Sequence, residues 1–433
     1  MKKIGFWSST ALVTGNMIGS GIFLLPATLA SYGGISLLGW VCSSLGALLL
    51  TLVYKYLSGL HPHTLGGPYA YTRMALGDFM GYLVAWGYWV SIWCTNAAIS
   101  VAFVGYLSVF VPDVAQNSVW AIGSGLGVLW FFTWINSLAL KHVAWVQRLT
   151  TILKLVPIFS IGFIGIWYID FDHINLLNQS GKTSFEALTA TTTLTLFAFL
   201  GLESASITSA RVKNAAQTVG RASLTGTAIT VITYILCSIA IMGILPPDRL
   251  MNSTAPFADA AFVFWGVSSK YIVAAGAMMA TLGALNGWIL IQGQIPLAAA
   301  QDRLFPAFFG QKNRHHAPQL GIVVSSILAS VVLLFRYSDQ LVDTFAYMMN
   351  LSTLSVLTPY LLSALSLIVL LRKKQGYAKP IVMGIAGGAM LFCVWVIFGS
   401  GKEVILSGML LLSLGVLIYG FKKRFIHTKN SDQ

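Results

Sequence analysis

Apolar residues run through this chain in blocks of about 20, long enough to cross a hydrocarbon layer as helix. Twelve blocks, numbered here as spans 1 to 12, fall at 7–30, 36–57, 80–111, 118–138, 149–169, 187–208, 222–245, 272–299, 319–336, 342–371, 381–399 and 403–421. The expected fold class is therefore all-α and integral to a membrane, with connections too short to hold a soluble domain. The stretch from Pro246 to Lys270 is long for a connection and contains the apolar run Ala260 to Trp265, which suggests short helices over the outer face. Residues 422–433 read as a disordered cytoplasmic tail.

The charges between the spans orient them. With both termini on the cytoplasmic side, the inner connections receive Lys2, Lys3, Lys55, Arg73, Lys141, Arg148, Lys154, Arg211, Lys213, Arg221, Arg303, Lys312, Arg314, Arg372, Lys373, Lys374, Lys379, Lys422, Lys423, Arg424 and Lys429. Only Lys182, Arg249, Lys270, Arg336 and Lys402 fall outside. A division of 21 to 5 is a strong positive-inside bias, and one missed span would scramble it.

Composition closes off other classes. Of 433 residues 56% are hydrophobic and 9% charged, which removes a water-soluble fold. The net charge of +13 resides in short basic clusters between spans, so it speaks for topology and against nucleic-acid binding. The Lys2-Lys3 start followed by an apolar run does not read as a cleaved signal peptide, because the run continues to about Ala30. Cys42, Cys94, Cys237 and Cys393 are scattered within apolar blocks and read as packing residues. His315 and His316 lie in a basic inner loop and read as topology residues, so no metal or cofactor is expected.

Two spans carry features that a plain lipid-facing helix does not need. Span 1 contains Gly15-Asn16-Met17-Ile18-Gly19-Ser20-Gly21, which is open to two readings: a helix break lining a cavity, or a small-residue packing face at Gly15 and Gly19. Span 6 contains Phe197-Ala198-Phe199-Leu200-Gly201-Leu202-Glu203, again a glycine at depth and here a carboxylate too. Paired interruptions in spans 1 and 6, which run in opposite directions, are what two inverted five-span repeats of a transporter would show. A break at 19–21 would start the outer half of span 1 with free N–H groups and a positive dipole end, suited to a carboxylate. Free carbonyls near Phe197 to Leu200 would accept an ammonium, so one zwitterionic head group could bridge both. Glu203 is the deep carboxylate, whereas Asp343 lies near the start of its span. It reads as proton-coupling or as a structural hydrogen-bonded carboxyl. Lys154, the other deep charge, has a stem long enough to snorkel to the cytoplasmic face.

Several stretches together resemble the amino acid-polyamine-organocation transporters. They are Gly15 to Phe23, Gly66-Gly67-Pro68-Tyr69-Ala70-Tyr71, Phe199 to Ser204, Gly287-Trp288 and Ala299 to Pro306, and the chain is most similar to the basic amino acid/polyamine antiporter branch. That resemblance implies a transporter domain over 1–421, with inverted repeats at 7–169 and 187–371 and two peripheral helices at 381–421. It implies spans 1 and 6 unwound at mid-membrane, alternating access, and dimers as a known arrangement. Carried over by motif, Asn16, Ser20 and Gly21 contact the substrate carboxylate, and backbone at Ile18 helps to bind the amine. Phe197 and Leu200 offer carbonyls to the amine, and Tyr88, Asn96 and Trp288 shape the side-chain pocket. Glu203 matches the proton-linked glutamate and Tyr69 a tyrosine near the cytoplasmic gate. Phe197 stands where arginine/agmatine exchangers carry tryptophan, and Ser91-Ile92-Trp93-Cys94 also departs from them.

The function expected is secondary transport of amino acids or related amines across the cell membrane, by antiport of basic amino acids and polyamines. A proton-coupled symporter of neutral amino acids is the alternative. A membrane enzyme would need a second catalytic group near Glu203, and the deep spans offer neither His-Glu-x-x-His nor a nucleophile elbow. A sensor would need a signalling domain, which the short cytoplasmic segments cannot contain.

Overall fold

The computed structural model describes residues 5–62, 64, 66–138, 150, 153–174, 177–207, 212–335, 340–373 and 379–431, with 421–431 described as backbone alone. Lys2, Lys3, Lys141, Arg148, Arg211, Arg336 and Lys374, used above for topology, lie outside these residues.

Among the described residues the chain is helical, without a strand beyond one isolated bridge between Gly33 and Asn178. Nine helical stretches among the described residues are long and apolar enough to cross a membrane: Phe6–Ala30, Ile35–Leu60, Asp78–Leu107, Ser118–Ser137, Ala215–Ile244, Val267–Gln301, Leu341–Lys373, Pro380–Gly399 and Lys402–Gly420. They correspond to spans 1 to 4, 7, 8 and 10 to 12. Span 9 is the shorter apolar helix Gln319–Phe335, and span 5 continues through Leu155–Tyr168 by way of a π turn at Ser160–Ile164. Span 6 is Ser184–Leu196, a 3-10 turn at Phe197–Phe199, and a short inner helix Ser204–Ile207.

One local structure departs from the reading of the sequence. The last helix continues to Ser431, so residues 422–431 extend span 12 instead of forming a disordered tail. Lysine and arginine are good helix formers, and nothing in 421–431 breaks the turn. Between spans 2 and 3 lies a helix that no apolar block marks, Pro68–Leu76; Pro68 occupies its first turn, where a missing N–H costs nothing. The connection from span 7 to span 8 holds the short helices Pro247–Met251 and Pro256–Trp265, as its apolar run suggests.

Burial separates core from rim. In span 3, 89% of the apolar window is buried, against 28% in span 11 and 17% in span 12. Span 3 therefore forms the central post, packed by spans 8 and 10, while spans 11 and 12 lie outside it. Span 7 packs against spans 1 and 2, and span 6 against span 2. Exposed large side chains such as Leu391, Phe398, Met409 and Leu417 on spans 11 and 12 give the rim an apolar surface. That is the arrangement expected where lipid replaces water as solvent.

Candidate functional site

The helix of span 1 ends at Met17 and resumes at Ser20, inside the glycine cluster. Ile18 and Gly19 leave the helical conformation, and the Gly19 N–H turns back onto the Met17 carbonyl at 2.8 Å. The helix Ser20–Ala30 thus begins at depth, with first-turn N–H groups that have no partner within the helix. In span 6 the helix tightens at Phe197–Phe199 and turns at Gly201, whose φ of +103° only glycine adopts without strain.

The two interruptions face each other closely. A methyl group on Gly21 would stand 3.1 Å from Cα of Ala198, and one on Gly201 3.1 Å from Cβ of Asn16. On Gly19 it would meet Cβ of Ala284 in span 8 at 2.8 Å. Gly19 serves both readings of the glycine cluster, leaving the helix and permitting close packing, whereas Gly15 stays helical with no neighbour close enough to exclude a methyl group. Asn16 Nδ2 donates to Ser204 Oγ at 2.8 Å, joining span 1 to the inner helix of span 6.

Between the interruptions lies a small cavity of ≈ 10 Å³, room for roughly one water. Asn16, Ser20, Gly21, Phe197, Leu200 and Trp288, all singled out from the sequence, line it together with Met17, Gly19, Thr95, Ile99 and Ala198. None of these side chains is ionisable. A charged ligand would meet amide dipoles, hydroxyls and the rings of Phe197 and Trp288.

Three of the expected pocket residues lie elsewhere. Ile18 does not line the cavity; its carbonyl accepts from Lys154 Nζ at 3.1 Å, and Gly15 O accepts from the same ammonium at 3.0 Å. Lys154 is buried with its head turned to these carbonyls, so it does not snorkel to the cytoplasmic face. The end of a broken helix offers carbonyl oxygens that a cation can satisfy inside the protein. Asn96 donates through Nδ2 to Gln292 Oε1 at 2.6 Å, and Gln292 donates on to Ser326 Oγ at 2.8 Å. Helix phase explains this placement, because Tyr88, Thr95 and Ile99 share one stripe of span 3 and Asn96 is turned a residue away from it. Phase could have pointed to Thr95, which the motif did not.

Tyr88, on that stripe, holds Glu203. The carboxyl is fully buried; Oε1 accepts from the Tyr88 hydroxyl and Oε2 from the Tyr360 hydroxyl at 2.9 Å. Tyr54 packs edge-on against Tyr360 and donates to Ser363 Oγ at 3.2 Å. Both oxygens of this buried carboxyl are thus held by phenols from other spans. Tyr360 gave no sign in the sequence beyond being a tyrosine in an apolar run.

At the connection after span 2, Tyr69 donates to Asp302 Oδ2 at 2.9 Å, and Arg73 approaches Asp302 Oδ1 at 3.5 Å and Asp78 Oδ1 at 2.6 Å. Burial, and then the Asp302 carboxylate, push the Tyr69 phenol well above its usual range. The hydrogen bond to Asp78 raises Arg73 further. Gly67, at φ +57°, lies so close to Ile207 that a methyl group would stand 2.9 Å from its Cγ1.

A polytopic helical protein with a small cavity between two interrupted helices has the architecture of a membrane transporter. The amino acid permease family model matches residues 4–425, and the chain belongs to that family. It is 31% identical to the cadaverine/lysine antiporter of Escherichia coli (strain K12), over 99% of this chain and 96% of that protein. It is 30% identical to a putative arginine/ornithine antiporter of Bacillus subtilis (strain 168), over 97% of each. The putrescine transporter PotE of Haemophilus influenzae (strain ATCC 51907 / DSM 11121 / KW20 / Rd) is 29% identical, again over 97% of each. The chain is thus a multi-pass membrane transporter and not an enzyme.

Proposed function

We propose that the protein exchanges a basic amino acid for a related amine across the cytoplasmic membrane, by alternating access around the cavity between spans 1, 3, 6 and 8. The observation that carries this reading is the junction of two helix interruptions around a small cavity without an ionisable lining. On one side the first turn of Ser20–Ala30 presents N–H groups to a carboxylate, with Asn16, Ser20 and Gly21 beside it. On the other, backbone at Phe197 and Leu200 faces the amine, and the Trp288 ring serves a cationic side chain. Relatives named for arginine, ornithine, lysine, cadaverine and putrescine support a basic substrate.

The proposal includes two inverted repeats, 7–169 and 187–371, and its support is a pattern of packing. Span 1 packs on span 7 as span 6 packs on span 2, and span 3 packs on span 10 as span 8 packs on span 5. Adding five to each span number, or subtracting it, carries one contact into the other. Spans 11 and 12 are the additional pair, and both termini face the cytoplasm, where the basic connections gather. Glu203 is the proton-linked group and Tyr69 a gate residue on the cytoplasmic side. The cavity is complete within one chain, and the homodimer that the resemblance allows is tested by native mass spectrometry.

The experiment is uptake into proteoliposomes loaded with amino acids and amines, using labelled arginine, lysine, ornithine and neutral amino acids in turn. Uptake of a cation that requires internal amine is the expected result. Uptake of a neutral amino acid into empty vesicles, driven by a pH gradient, would make the protein a symporter and overturn the proposal.

A further inference from the structure

Span 7 contributes a residue that the transport reading above does not use. Tyr234 is fully buried, and its hydroxyl stands 2.5 Å from the Met17 carbonyl and 3.0 Å from the Ala198 carbonyl. Met17 is the last helical residue before the interruption of span 1, and Ala198 lies in the 3-10 turn of span 6. Both line the cavity. One hydroxyl on a third helix therefore touches the two interruptions at once.

We propose that Tyr234 is a positioning residue that ties the interruptions of spans 1 and 6 to each other and sets the gap between them. A phenol has one proton to donate, so the two carbonyls share it and neither can leave without shifting the bond to the other. Met17 O also accepts from the Gly19 N–H, whereas the Tyr234 hydroxyl is the donor found at Ala198 O. The ring itself is fixed: its centroid lies 5.3 Å from that of Trp40 in span 2 and 5.4 Å from that of Phe199 in span 6. Span 7 is an unbroken helix over Ala215–Ile244, so the hydroxyl is a rigid post beside two segments that lack full helical hydrogen bonding. Its consequence for transport rests on the head-group reading proposed above. A ligand with both carboxylate and ammonium must span both interruptions, whereas a diamine engages the carbonyl side alone.

The test is Tyr234→Phe, which keeps the ring between Trp40 and Phe199 and removes the hydroxyl. In lipid nanodiscs without ligand, amide hydrogen exchange is expected to quicken together in residues 15–22 and 197–204, with residues 215–244 unchanged. Quickening in one segment alone, or in neither, overturns the inference. In the exchange assay, KM for an amino acid should rise about three- to tenfold, the worth of one buried hydrogen bond, with kcat within about twofold. KM for a diamine should rise less; equal rises would reduce Tyr234 to a structural residue. A wild-type protein that exchanges neither amino acids nor amines would sink the transport proposal, while the amide-exchange result would still decide this one.

Discussion

Glu203 accepts from Tyr88 and Tyr360 at the same time, which ties spans 3, 6 and 10 to a single carboxylate. A proton on either oxygen turns that oxygen into a donor facing a phenol, so one of the two tyrosine contacts must rearrange. Transport that depends on this event follows pH, and Glu203→Gln should flatten the pH profile of uptake while leaving substrate binding largely intact. An unchanged profile would remove Glu203 from coupling and leave it a structural anchor. Trp288 is a second residue with a definite expectation. Its ring lines a cavity that has no ionisable group, so on the reading proposed above a cationic side chain would meet the indole face together with the Phe197 ring. Trp288→Ala should raise KM for a basic amino acid by roughly 2- to 30-fold, the range of one cation–π contact, and change KM for a neutral one less. Motif and depth made both residues visible in the sequence. Asn96 shows the limit of that approach, because a polar residue in the right span is in contact with Gln292 when the helix phase turns it there.

Elements were legible to the degree that their cause is local. Long apolar blocks locate the spans because a backbone in lipid must satisfy its own hydrogen bonds, and the glycines of spans 1 and 6 mark the interruptions at 18–19 and 200–203. The helix Pro68–Leu76 and the extension of span 12 to Ser431 were not legible, since neither crosses an apolar block. The start of span 6 is a capping box: Thr183 Oγ1 accepts from the Glu186 N–H at 3.3 Å, and Glu186 Oε2 accepts from Thr183 N at 3.0 Å. Hydrogen bonds from the Thr183 hydroxyl and then its N–H hold the Glu186 carboxyl below its usual range. A depressed value means that the cap is intact above the ordinary carboxylate range and is lost as pH falls through the folded value. Amide exchange at 184–187, corrected for intrinsic rates, should therefore rise on acidification, and Glu186→Gln should remove that dependence. Further along, spans 2 and 6 approach so closely that Thr195 donates to the Gly39 carbonyl at 3.1 Å. A methyl group on Gly39 would stand 2.5 Å from Thr191 Oγ1 and 2.9 Å from its backbone. Gly39→Ala should thus cost about 1–3 kcal/mol, read as a lower melting temperature in detergent.

At the scale of the whole molecule, the alternating access proposed above requires a path to each side of the cavity, and with the termini cytoplasmic, as proposed, the contacts at the connection after span 2 would hold the cytoplasmic path shut. Tyr69 fastens the helix Pro68–Leu76 to Asp302 at the end of span 8, and Gly67 at its base abuts Ile207 at the inner end of span 6. Opening toward the cytoplasm would draw the inner helix Ser204–Ile207 away from Gly67. The Tyr69 phenol, pushed up by burial and by Asp302, stays protonated across the physiological range and is a constant donor. The latch itself is thus not expected to open through loss of that proton. Arg73 and Asp302 are each more than a third exposed at 34% and 41%, so their 3.5 Å contact adds little. Tyr69→Phe should therefore matter more than Asp302→Asn, which keeps an acceptor for the phenol. Removing one hydrogen bond of this kind shifts an open–closed balance by roughly two- to tenfold. A cysteine introduced by Ser206→Cys, in a background cleared of Cys42, Cys94, Cys237 and Cys393, reports that balance through its reaction with an impermeant thiol reagent on the cytoplasmic side. Labelling should quicken with Tyr69→Phe and change little with Asp302→Asn. Equal labelling in all three would place the cytoplasmic gate elsewhere, at the Asn16–Ser204 contact that joins the inner halves of spans 1 and 6.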